Sequence, residues 1–193
     1  MENISKEKII EYLENVLTEK RKRHTYSVAS EAVSLAQYHN VAPEKAELAA
    51  LFHDMFRGTQ IEILDNYVRS FNLDSCYLGN SNLAHGKIAG VVMEQDYGIQ
   101  DRDIINAVAF HTTGREGMSD LEKILYLADA IEPGRKYPGV EEIRKLAYVN
   151  LNQACLKAMS RSVDYIRSRG LKLDRDTIRA KNFLMEQERM KYE

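Results

Sequence analysis

The chain has 193 residues, of which 44% are hydrophobic and 29% are charged, and it contains only three prolines. This composition is typical of a globular domain with a buried core, and it excludes a disordered or fibrous protein. The 29 acidic and 27 basic residues give a net charge of −2, so the basic excess typical of a general nucleic-acid-binding protein is absent.

Location and redox chemistry are also constrained by the sequence. No apolar run reaches the roughly 18 residues that span a bilayer, and residues 1–7 show no hydrophobic signal segment. Cys76 and Cys155 are far apart and form no Cys-x-x-Cys pair. We therefore expect no disulfide framework, a cytoplasmic location, and no membrane or nucleic-acid partner.

Apolar residues recur at intervals of three and four along the chain, which predicts an all-α fold. In chain order, the first four helices are predicted over residues 5–20, 25–39, 43–54 and 59–70. Pro43 suits a first helical turn, and Gly58 suits a helix end. Residues 72–84 are polar and are predicted to form a surface loop.

The second half of the chain continues in the same way. Further helices are predicted over residues 85–96, 101–111, 119–131, 139–168 and 174–190. Ser119 and Glu122 have the spacing of a capping box, which marks a helix start. Pro133 and Gly134 break the chain after that helix. With no internal repeat or linker, the sequence predicts one all-α domain over residues 1–193, with its core at about residues 20–170.

Polar side chains continue the apolar faces of five predicted helices. These side chains are His24, His53, His85, His111 and Asp129, and Asp54 adjoins His53 in the sequence. One histidine on an apolar face is usually a core residue that is hydrogen-bonded to the backbone. The remaining histidine, His39, fits no apolar face and is expected at the surface. Two buried carboxylates, however, need cations. No lysine or arginine is evident on the same faces.

A divalent metal ion would satisfy these carboxylates and imidazoles together. Four imidazoles, two carboxylates and no thiolate favour iron, manganese, cobalt or zinc in a catalytic role over a structural zinc site. Six ligands are too many for one tetrahedral ion. The pattern therefore predicts a dinuclear hydrolytic centre with ions roughly 3.5–4 Å apart.

The six residues resemble the signature of the HD-domain metal-dependent phosphohydrolases. Residues 111–115, 119–123, 127–135 and 138–144 are similar to the YqeK family within that group, and the resemblance covers about residues 20–170. It implies an all-helical, iron-dependent, symmetrical diadenosine tetraphosphate hydrolase that releases two nucleoside diphosphates. In one departure, Arg57 stands where that family often has lysine, which changes the expected phosphate contact there.

The resemblance also implies how the ligands divide. The first ion is assigned His24, His53, Asp54 and Asp129. The second ion is assigned His85 and His111, with Asp54 bridging both ions. The cations would activate a water molecule that attacks phosphorus. We assign catalytic roles to Asp54, His85 and Arg135.

A polyphosphate also needs positive charge and hydrogen-bond donors from the protein. The candidates for substrate binding are Arg57, Lys87, Thr113, Arg115 and Arg135. Each has an alternative role as an ordinary surface or structural side chain. Tyr126, Tyr137 and Phe110 are candidate base-stacking rings, with core packing as the alternative, and Glu132 is expected to anchor the Pro133-Gly134 loop.

Several alternatives stay open on the sequence alone. Another HD-type nucleotidase, triphosphohydrolase or cyclic-dinucleotide phosphodiesterase would use the same ligands, and an HD protein can bind a nucleotide without hydrolysing it. The identity of the metal and the choice between adenosine and guanosine are also open. The charged last helix and the apolar stripe on residues 139–158 are compatible with a homodimer.

Overall fold

A computed structural model describes residues 2–191 of the chain, and within this range it contains α-helices and one short 3-10 helix (Ser75–Tyr77) but no strand. The α-helices are α1 (Glu2–Val16), α2 (Glu19–Tyr38), α3 (Pro43–Phe52), α4 (Ile61–Ser70), α5 (Ser81–Gln95), α6 (Arg102–Phe110), α7 (Asp120–Ile131), α8 (Val140–Ala147), α9 (Leu151–Ser168) and α10 (Arg175–Arg189). The predicted all-α fold is confirmed.

Two predicted helix starts are correct, but one predicted helix end is not. Gly58 has a φ of +91°, a left-handed conformation that favours glycine, yet α3 already ends at Phe52. Pro43 occupies the first turn of α3, as predicted. The capping box at the start of α7 is present in full, because the Ser119 hydroxyl accepts the Glu122 amide while the Glu122 carboxylate accepts the Ser119 amide.

The single long helix predicted over residues 139–168 is wrong. The chain forms α8 and α9 instead, separated by Tyr148–Asn150. Asn150 has an extended backbone, and its side chain accepts the Gln153 amide at 3.1 Å, so it caps the start of α9. The spacing of four between Ala147 and Leu151 continues the apolar pattern through this break, so periodicity could not reveal it.

Two helices that carry site residues begin earlier than predicted. Thr18 caps α2, which places His24 inside the helix rather than at its start. Asn80 caps α5 and accepts the Leu83 amide at 3.2 Å, so the end of the predicted loop is the first turn of α5. His85 therefore lies one turn inside α5.

The core lies where the middle helices meet. α2 packs on α3 and α7, α6 packs on α5 and α7, and α9 packs on α7, α8 and α10. The fully buried core side chains include Leu35, Phe52, Ile88, Ile104 and Leu125, which come from α2, α3, α5, α6 and α7 respectively. Burying each contributes about 1.5–3 kcal/mol. The packing holds these five helices in fixed relative positions.

Cys76 is exposed and Cys155 is buried, and both are free thiols. In the described part of the chain, none of the helices combines the length and the apolar character that crossing a membrane requires.

Candidate metal centre

The structure brings all six predicted ligands together where α2, α3, α5, α6 and α7 meet. They form two donor groups, and within each group the ligand atoms lie within 4.8 Å of one another. The outer group consists of His24, His53 and Asp129, and the inner group consists of Asp54, His85 and His111. All three residues of the inner group are buried, whereas His24 and Asp129 are partly exposed.

Asp54 joins the two groups through its two carboxylate oxygens. Its Oδ1 lies 3.2 Å from Nε2 of His85 and 3.9 Å from Nε2 of His111. Its Oδ2 lies 3.7 Å from Nε2 of His53 and 3.8 Å from Nε2 of His24. Each oxygen therefore faces a different group, which is the geometry that a bridging carboxylate requires.

The four imidazoles all turn the same nitrogen towards the centre. Nδ1 of His53, His85 and His111 lies 2.6, 3.0 and 2.8 Å from a backbone carbonyl oxygen three or four residues earlier. Nδ1 of His24 lies 3.2 Å from Oε1 of Glu132. Because these oxygens only accept hydrogen bonds, Nδ1 carries the hydrogen and Nε2 offers a lone pair to the centre.

These lone pairs fit a metal ion. Nε2 of His53 is fully buried and has no hydrogen-bond partner. Nε2 of His85 and Nε2 of His111 lie 3.1 Å apart, so two acceptors face each other, an arrangement that a bound cation would stabilise. Nitrogen and carboxylate oxygen without sulfur suit iron, manganese, cobalt or zinc.

Protonation states at neutral pH also favour metal binding. Burial alone would raise the pKa of Asp54, but the contacts with the neighbouring histidines, first His53 and then His85, hold that pKa well below its usual range. Burial, reinforced by the neighbouring His85, lowers the pKa of His111 to about 3. Asp54 is therefore ionised and His111 is neutral, as metal ligands must be.

Two arginines pair with the carboxylates, although no basic residue was evident on the same helix faces in the sequence. Arg21 Nη1 lies 3.1 Å from Oδ2 of Asp54, and the Arg135 guanidinium donates to Oδ1 of Asp129. Arg21 is three residues before His24, so both side chains lie on one face of α2, and this spacing was the missed signal. The imidazole nitrogens therefore call for a cation more strongly than the carboxylates do.

A glycine permits the close approach of His85 and His111. A Cβ at Gly86 would lie 3.0 Å from the Val108 carbonyl oxygen and 3.1 Å from the His111 ring. Even alanine at this position would press on the α6 backbone and on the His111 ring. Gly86 thus allows the inner group to form between these helices.

A cleft of about 800 Å³ opens over both groups. Of the predicted substrate-binding residues, Arg57, Thr113 and Arg135 line this cleft, as do the candidate rings Tyr126 and Tyr137. The Thr113 hydroxyl donates to the neighbouring Gly114 carbonyl at 2.8 Å.

The other two predicted substrate-binding residues, Lys87 and Arg115, are not among the residues that line the cleft, so its geometry does not support their predicted role. The Lys87 ammonium lies 3.3 Å from Oδ2 of Asp176 and 3.2 Å from the centre of the Phe110 ring. Arg115 makes two hydrogen bonds to the Glu122 carboxylate, at 2.5 and 2.7 Å. Both cations are engaged in contacts between structural elements.

Further residues of the cleft were missed in the sequence. Arg161 and Tyr165 on α9 and Lys172 after it line the cleft, and the Arg161 guanidinium lies 4.3 Å from the Tyr137 ring centre. These side chains come from the region after the last donor residue. Nothing in their spacing indicated that α9 folds over the centre.

Known proteins resemble this chain over most of its length. The HD domain family matches residues 21–134, a range that contains all six donor residues. The symmetrical bis(5'-nucleosyl)-tetraphosphatase of Bacillus subtilis (strain 168) is 34% identical over 183 residues, which cover 94% of this chain and 98% of that protein. The Staphylococcus aureus (strain NCTC 8325 / PS 47) protein of the same name is 34% identical, covering 86% and 88%.

A solved structure agrees with the fold. It is the crystal structure of a predicted HD superfamily hydrolase involved in NAD metabolism from Clostridium acetobutylicum. That protein superposes with a TM-score of 0.89 and shares 40% sequence identity, covering 94% of this chain and 97% of its own.

Proposed function

Since this chain belongs to the HD domain family, we propose that it is a metal-dependent phosphohydrolase that cleaves diadenosine tetraphosphate symmetrically into two molecules of ADP. The observation that carries the proposal is the pair of donor groups joined by Asp54 at the cleft. The relatives named symmetrical bis(5'-nucleosyl)-tetraphosphatase support the substrate.

We propose two divalent cations, with iron as the native metal and manganese, cobalt or zinc as chemically acceptable substitutes. One would be held by the outer group and the other by the inner group, with one Asp54 oxygen directed to each. When bound, such cations lower the pKa of water and offset phosphate charge.

The chain's own residues orient the reaction. The Nδ1 contacts hold the four imidazoles in the ligand tautomer. Arg21, Arg57 and Arg135 line the cleft and offset the charge of the tetraphosphate. The oxygen of a water molecule adds to a phosphorus beside the central bridging oxygen of the tetraphosphate. The bond between that phosphorus and the bridging oxygen then breaks. The departing nucleoside diphosphate is a good leaving group, so no dedicated protein acid is required.

The cleft suits a ligand of this size and composition. Its volume of about 800 Å³ lies within the roughly 300–1,000 Å³ range of ligand pockets. Tyr137 and Tyr165 offer aromatic rings for an adenine base.

We propose that the enzyme acts in the cytoplasm on a free nucleotide, without nucleic-acid or membrane partners, and that it forms a homodimer. Size-exclusion chromatography with light scattering measures the molar mass and so tests the homodimer directly.

Product analysis tests the activity. The protein is purified without oxygen, its metals are measured, and diadenosine tetraphosphate is incubated with it and with Asp54→Ala. We expect ADP as the only product, and none from the variant. ATP with AMP would indicate asymmetric cleavage, and turnover of deoxynucleotides or cyclic dinucleotides alone would indicate another HD activity. Binding without any product would indicate a nucleotide-binding protein.

A further inference from the structure

Glu132 connects the loop after α7 to the outer group. The residue is buried, and its carboxylate uses both oxygens. Oε1 lies 3.2 Å from Nδ1 of His24. Oε2 accepts the Ser27 hydroxyl at 2.9 Å and the Gly134 amide at 2.5 Å. Anchoring of the loop was predicted for this residue, but the contact with His24 was not.

His24 differs from the other three candidate ligand histidines in what orients its ring. The other three imidazoles are held by carbonyl oxygens of the preceding helical turn, so helix formation itself orients them. His24 depends on a side chain from a separate element 108 residues away in the chain. Its group is also the more exposed one, because the side chains of His24 and Asp129 are 14% and 24% accessible.

The loop is built so that the Glu132 carboxylate can fold back. A Cβ at Gly134 would lie 2.8 and 2.9 Å from the two carboxylate oxygens of Glu132. Behind the loop, the Arg144 guanidinium donates to the carbonyl oxygens of Ile131, Glu132 and Arg135 at 2.8 to 3.0 Å. The position of the carboxylate is therefore determined from both sides.

We propose that Glu132 is a positioning residue, which holds the His24 ring for the outer group and thereby sets how tightly that group binds its cation. A carboxylate that accepts the Nδ1 hydrogen fixes the tautomer and strengthens Nε2 as a donor. The inference rests on the proposed metal centre. It makes the outer cation the one whose binding depends on the loop after α7.

Glu132→Gln is a sharp test of this role, because the hydrogen-bond donors around the carboxylate fix how the glutamine amide must lie. Gly134 and Ser27 both donate to Oε2, so the glutamine oxygen is needed there. The amide nitrogen then faces Nδ1 of His24, and two donors oppose each other. His24 must move its hydrogen to Nε2 or turn away, and either change removes the ligand.

The test is a calorimetric titration of the metal-free protein with Mn²⁺, without substrate. His24→Ala identifies the binding event that needs His24. Glu132→Gln should weaken that same event by about 10- to 100-fold and leave any other event unchanged. Glu122→Gln is the matched control, since Glu122 is equally buried at the opposite end of α7 and contacts no candidate ligand. It should leave every Mn²⁺ affinity unchanged.

Gly134→Ala tests the same inference without removing a polar group. Its Cβ should displace the Glu132 carboxylate and weaken the His24-dependent event. Wild-type Mn²⁺ binding by Glu132→Gln, equal weakening of all events, or the absence of any His24-dependent event would overturn the inference. Failure to hydrolyse diadenosine tetraphosphate would overturn the proposed function instead, while these affinities would still decide the role of Glu132.

Discussion

Replacing His111 by alanine should empty one metal site and spare the other. His111 is buried, and its Nε2 faces Nε2 of His85 at 3.1 Å and Oδ1 of Asp54 at 3.9 Å. Alanine leaves the inner group with two protein ligands out of three. Four-ligand zinc sites bind with about 10–16 kcal/mol, or about 3 kcal/mol per ligand. We therefore expect about 100-fold weaker binding at the inner group.

The assay counts metal ions after anaerobic loading and desalting. Wild-type protein should retain about two ions per chain, as expected for a dinuclear centre, and His111→Ala about one, with little hydrolysis. His39→Ala is the control, because the His39 ring contacts the Ala147 carbonyl oxygen at 2.7 Å and the Tyr38 ring, neither of which belongs to the donor groups. It should lose about 1 kcal/mol of stability and keep both ions. Two ions retained by folded His111→Ala would refute the dinuclear assignment.

Three further results are expected. Asp54→Ala should lose both cations and all hydrolysis while remaining folded but less stable, and substantial turnover by the purified variant would contradict the bridging role. Lys87→Met should lower the free energy of unfolding by about 1–2 kcal/mol, because the variant loses an ion pair and an aromatic contact. Its KM should be unchanged. A raised KM in a stable variant would indicate that Lys87 binds substrate. The His111 pKa of about 3 lies below its unfolded value of about 6.5, so the unfolded state binds the extra proton between these values. The unfolding free energy of the metal-free protein should therefore fall as pH decreases through this range, by up to about 1.4 kcal/mol per unit, and urea titrations of His111→Ala should lack that contribution.

Helix periodicity explains why the ligands were predictable. Side chains three and four residues apart share a face of a helix, so a polar group at the end of an apolar stripe must point inward. This reasoning located His53, His85, His111 and Asp129, and the capping box located the start of α7. It says nothing about which neighbouring helix a side chain meets.

Contacts between helices account for what was missed. Arg21 lies on the ligand face of α2, but its partner Asp54 comes from the chain after α3. Lys87 has the charge expected of a phosphate ligand, yet α10 places Asp176 beside it. The break before α9 depends on one capping contact by Asn150, which leaves the apolar spacing intact.

The sequence by itself determined the all-α class and the six donor residues, because both follow from local periodicity and side-chain chemistry. Only the tertiary structure decided which oxygen of Asp54 faces each donor group, that Arg21 and Arg135 pair with the carboxylates, and that Glu132 contacts His24. These features depend on distances between helices remote in the chain. Such distances are set by packing, as at Gly86, where a hydrogen in place of a side chain lets α5 approach α6.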